Sequence, residues 1–108
     1  MDSLHGCTCH DNPWSAILDM MPPEPRRLTV RGSCICPTGG FQAALKKAVP
    51  QGVNPAILLL ELTTVAPSGI VNQMVTTYDV EYVETGAPRY EQVQVRPCNV
   101  TIPIQVAS

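Results

Sequence analysis

The residues in this chain best equipped for chemistry are its five cysteines. Four of them form two Cys-X-Cys pairs, Cys7-Thr8-Cys9 followed directly by His10, and Cys34-Ile35-Cys36, while Cys98 stands apart. Thiolate and imidazole are the donors of closed tetrahedral sites for zinc and other thiophilic ions. Cys7, Cys9, His10, Cys34 and Cys36 are therefore the metal-ligand candidates, with His5 as a further donor. Spacing weighs against them, because well-attested pairs separate their cysteines by about two to four residues. A plainer reading places Cys34 and Cys36 in a core, on the face that period two assigns to Leu28 and Val30, since free cysteine is among the most buried residue types. A redox or disulfide role is the third reading. Five is an odd number and argues against a complete disulfide framework. Cys7 and Cys9, in a polar terminus, are the more oxidisable thiols.

For acid–base or nucleophilic catalysis the chain is poor. Its two histidines both fall within the first ten residues. Asp79 and Glu81 share a strand face and, with Tyr82, are the parts from which a small hydrolase or isomerase would be built. They alternate with Tyr78, Val80 and Tyr82, the pattern of a solvated face over a buried one. No Gly-X-Ser-X-Gly, Gly-X-Gly-X-X-Gly or Walker pattern occurs. Thr38-Gly39-Gly40 is a turn without the helix N-terminus that a phosphate cradle uses. Asn99-Val100-Thr101 matches a glycosylation acceptor, which matters only in a secreted chain. The expectation is a protein that is not an enzyme and carries no cofactor. Tyr90, Gln92, Gln94 and Arg96 could form a partner-binding face, as tyrosine and arginine are favoured at interfaces.

Composition narrows the remaining classes. The chain has 108 residues, 44% of them hydrophobic, which suits one folded domain. Charged residues are only 15% and the net charge is -2. Arg26, Arg27 and Arg31 form the one basic cluster, too small for a nucleic-acid footprint. The N-terminus lacks a signal-like apolar stretch, and the run Ala56–Leu60 is far shorter than the ~20 residues of a membrane span. A soluble, cytoplasmic protein is expected, with no membrane or nucleic-acid partner.

Eleven prolines leave little room for long helices. Between them, short Val/Ile/Thr/Tyr-rich runs recur at the spacing of a sandwich or barrel. One helix is expected near the N-terminus. Pro13 suits a first helical position, and Trp14, Ile17, Leu18 and Met21 fall at i, i+3, i+4 and i+7. These residues are the partner-binding candidates, on an arm (1–25) that ends in the stiff Pro22-Pro23-Glu24-Pro25 spacer. The domain proper spans 26–108. Its densest run, Asn54–Val65, reads as the central strand, with Leu58, Leu60 and Leu62 inward. The arm is expected to cover Ile57 and Leu59. Residues 41–49 fit either period and are assigned to a strand returning as a hairpin, because a glycine-rich turn precedes them. Tyr90–Arg96 should pair back on the strand before it. Asn99–Val106 should close the domain as one strand, and Pro103, unable to donate to a ladder, marks an edge. The fold expected is all-β, a small immunoglobulin-like sandwich of about six or seven antiparallel strands behind a helical arm. Its function would be that of a binding or assembly module, acting on a protein partner or by self-association; thiol-dependent metal binding is the alternative.

Overall fold

The computed structural model describes residues 7–9, 14–20, 26–69, 74–96 and 98–107. These residues are all-β, in two sheets: β1 (Thr8–Cys9), β2 (Ser15–Asp19), β3 (Arg27–Cys36), β4 (Gln42–Lys47), β5 (Ile57–Val65), β6 (Thr76–Thr85), β7 (Gln92–Arg96), β8 (Val100–Pro103) and β9 (Gln105–Ala107). In the first sheet β6 pairs with one edge of β3. The other edge of β3 takes β1 near its end and β2 near its start, and β9 extends the sheet beyond β2. The second sheet runs β4-β5-β7-β8. The inward faces of both sheets share one core, in which Leu18, Leu28, Val30, Leu58, Leu60, Val93 and Val95 have no exposed surface. Each such leucine or valine contributes about 1.5–3 kcal/mol by leaving water.

Where a helix is expected over 14–21, Ser15–Asp19 form a strand instead. Within β2, Ser15, Ile17 and Asp19 point out while Ala16 and Leu18 point in, so Ile17 and Leu18, which would share a helix face, lie on opposite faces of the sheet. Two isolated turns of helix gain little in water, whereas β2 gains a five-residue antiparallel ladder with β3 and a parallel one with β9. Tertiary pairing overrides the helical period. Met21 lies outside the described residues.

The strand expected over 41–49 is present, with Phe41 and Leu45 buried. It does not return as a hairpin on β3. It crosses to the second sheet and pairs with β5 from Gln42↔Val65 to Lys47↔Leu60. Nor does β7 pair back on β6: it lies parallel to β5. With β2–β9 also parallel, the sheets are not purely antiparallel. The last expected strand breaks at Ile104, where β8 leaves the second sheet and β9 joins the first. Pro103 does sit on an edge, since β8 ends the second sheet. The Asn54–Val65 run supplies β5, an interior strand between β4 and β7.

The described part of the arm, β1 and β2, lies in the first sheet and not on the outer side of β5. Cover there comes from the loop after β4. Gln51 Nε2 donates to the carbonyls of Ala48 (2.8 Å) and Leu59 (2.9 Å), and its Oε1 accepts from the Leu59 N–H at 2.9 Å. A single amide side chain thus stands in for a neighbouring strand, and a Cβ on Gly52 would rest 3.4 Å from Leu59 Cδ1.

Candidate functional site

The short strand β1 decides the geometry of the cysteines. Its register sets Thr8 opposite Ile35 and Cys9 opposite Cys34, and continuing it sets Cys7 opposite Cys36. Residues opposed in an antiparallel ladder share a face, and Cys34 and Cys36 on β3 are fully buried. Both Cys-X-Cys pairs therefore point into the core at the same end of the first sheet. The fifth cysteine arrives from the second sheet, on the β7–β8 turn. There Asn99 takes a left-handed φ of 57°, a conformation asparagine tolerates better than most residues.

Two disulfides join this end. Cys7–Cys36 crosses the β1–β3 ladder, with its Cα atoms 4.1 Å apart. Cys9–Cys98 ties the first sheet to the second over a sequence separation of 89, with Cα atoms 6.0 Å apart. Cys34 stays a free, buried thiol. Burial pushes its pKa up, because a thiolate is poorly stabilised in apolar surroundings. At neutral pH it is a protonated, weakly nucleophilic group. The sulfurs of Cys7, Cys34 and Cys36 lie within 4.8 Å of one another. Of the five expected metal ligands, these three are brought together; Cys9 is bonded to Cys98, and His10 lies outside the described residues. Disulfides persist in oxidising compartments, and in a reducing cytoplasm the same sulfurs would be thiols.

Trp14 closes over the same strand. Gly32 stands in the middle of β3, and a Cβ there would overlap indole atoms Cδ2 and Cε3. The glycine is what lets the ring lie against the backbone. Of the expected partner-binding stripe, Trp14 is half-buried, Leu18 is wholly buried in the core, and Ile17 is exposed.

The opposite end holds a polar cluster that sequence reading missed. Glu84 is in phase with Tyr78, Val80 and Tyr82, so β6 turns its carboxylate inward. Tyr82 Oη donates to Glu84 Oε1 at 2.8 Å and Tyr90 Oη to Oε2 at 3.2 Å. Lys47, on the inward side of edge strand β4, reaches Oε2 at 3.6 Å. Burial, followed by the bond to Glu84, pushes the Tyr82 phenol well above its ordinary value. Burial also raises Tyr90, and the bond with Tyr90 raises Lys47. The cluster is a clasp between β4 and β6, and an inward lysine also guards an edge strand against foreign pairing. The period-two phase of Glu84 was the available signal.

Asp79 and Glu81 lie exposed on the outer face of β6, and Arg31 Nε donates to Glu81 Oε2 at 2.7 Å. Tyr90 is buried and does not join an outer face with Gln92 and Gln94. Arg96 pairs with Glu61 at 3.3 Å. No helix is long and apolar enough to cross a membrane among the described residues. No family model, curated protein or solved structure matches the chain.

Proposed function

We propose that the protein is a non-enzymatic binding module that self-associates through the outer face of its first sheet. The architecture we take it to have is a small immunoglobulin-like sandwich, its two sheets facing each other over the shared core. The observation that carries the proposal is one row across that face, Ile17–Thr29–Val83. Ile17 is 42% exposed and Val83 47% exposed. Single exposed aliphatics are ordinary, but these two flank Thr29 in one row across three strands, β2, β3 and β6. The occupant is a second copy of this chain. The rows on either side hold Asp19 beside Arg27 and Arg31 beside Glu81, so the charges balance and two identical faces do not repel.

Sedimentation across a range of concentrations tests the proposal. A dimer that Ile17→Lys converts to monomer, with unchanged far-UV circular dichroism, is the expected result. A monomer at every concentration overturns it.

A further inference from the structure

We propose that once the Cys7–Cys36 bond is reduced, Cys7, Cys34 and Cys36 form a three-thiolate site for a monovalent copper ion. Three observations carry this. The sulfurs come from two neighbouring strands on one face and lie within 4.8 Å of one another. Metal–thiolate bonds of about 2.3 Å place the sulfurs of a trigonal site about 4 Å apart, inside that limit. When the S–S bond breaks, Cys7 and Cys36 part toward a nonbonded separation of that same order. Second, the site is dry on the β3 side, where Cys34 and Cys36 have no exposed surface, and open on the β1 side, where Cys7 is half-buried. Entry is possible at Cys7, and three thiolate donors favour a soft ion over a hard one. Third, among the described residues three sulfurs meet within this distance; Cys9, which faces Cys34 across the ladder, is directed instead toward Cys98 of the second sheet. Closed zinc sites ask for four protein ligands, whereas closed-shell copper is satisfied by three thiolates.

The redox step balances with a dithiol reductant. The dithiol gives two electrons and two protons and closes to its own disulfide; the Cys7–Cys36 bond breaks and both residues become thiols. Each thiol that becomes a ligand then releases its proton to water. The disulfide form of that dithiol reverses this: it takes two electrons from Cys7 and Cys36, their S–S bond re-forms and the ion leaves, so metal and disulfide exclude one another. Cys34 gains a role that the disulfide-bonded state does not give it. The site lies inside the core at one end of the fold and does not depend on the outer face proposed for self-association.

Anaerobic titration with monovalent copper, against a chromogenic copper chelator, is the test. Alkylation and mass spectrometry count the free thiols, and far-UV circular dichroism checks the fold. Expected are one equivalent bound by the reduced protein and none by the oxidised protein. Cys34→Ala should weaken binding about tenfold or more, while the double variant Cys9→Ala/Cys98→Ala should bind as the reduced wild type does. If Cys34→Ala does not fold, Cys7→Ser at the half-buried ligand makes the same test. The proposal is overturned if reduced, folded protein takes no copper from the chelator. It is equally overturned if the ligand variant binds unchanged, or if the Cys9/Cys98 variant loses the ion.

Discussion

The two ends of this molecule solve one problem by different chemistry. Strand β3 runs from Leu28, beside Glu84, to Cys36, a distance of about 26 Å at the usual rise per residue. At the Cys36 end the sheets are joined covalently, by Cys9–Cys98. At the Leu28 end they are joined by a carboxylate that takes two phenols and a lysine. A covalent closure acts mainly by restricting the unfolded chain. The clasp acts only through the folded state, where partially buried hydrogen bonds to a charged group are worth more than exposed ones. The first end should therefore answer to redox conditions and the second to pH.

Breaking the covalent end should have the largest effect. Cys98→Ala opens a closure spanning 89 residues, and chain-entropy reasoning puts the loss at about 4–5 kcal/mol. Urea denaturation under non-reducing conditions reads it, and a loss under 1 kcal/mol would show that the bond is no staple. Glu84→Ala removes the shared acceptor of the other end and strands two phenols, at a cost of about 2 kcal/mol by the same measurement. A larger loss here than at Cys98 would reverse the ranking of the two ends.

The pH response sharpens the contrast. Tyr82 and Tyr90 titrate above the ordinary 10.0 of a phenol, and Lys47 above the ordinary 10.5 of its amine. Between the unfolded and folded values, the folded chain keeps protons that the unfolded chain has lost. The clasp's contribution is thus full below about pH 10 and declines as pH rises through the folded values. Stability should fall with alkali more shallowly in Tyr82→Phe than in wild type, and equal slopes would remove the clasp as the cause.

Two smaller tests place controls midway along β3, between the two ends. Gly32→Ala should push the indole off β3, seen as a red shift in the emission of the chain's single tryptophan. Glu81→Gln, in the exposed pair with Arg31, should change stability by less than about 0.5 kcal/mol.

Much of the fold was legible residue by residue. Alternation alone assigned Leu28, Val30, Cys34 and Cys36 to the buried side of β3 and Leu58 and Leu60 to that of β5, and the structure keeps both. The tyrosines of β6 followed the same rule, and Glu84, which the sequence suggested as the start of a turn, continues their phase as part of the strand. Alternation failed at β2, where five residues are too few to outvote a helical spacing without knowledge of the neighbours waiting on both edges. It also misjudged where strands go. The glycine-rich turn after Cys36 gives a strand but not a hairpin, because β4 buries Phe41 and Leu45 only by crossing to the second sheet.

For the cysteines, the sequence by itself determined the side of the strand: a Cys-X-Cys pair puts both sulfurs on one face wherever it forms a strand. Only the tertiary structure decided which faces meet. A pairing between Cys9 and Cys98 spans 89 residues, and no local pattern encodes it. It follows from the register of a two-residue strand against β3 and from the turn that brings the second sheet's edge over it. Local sterics specify the direction of a side chain, while its company is specified by contacts that exist only once distant segments have packed.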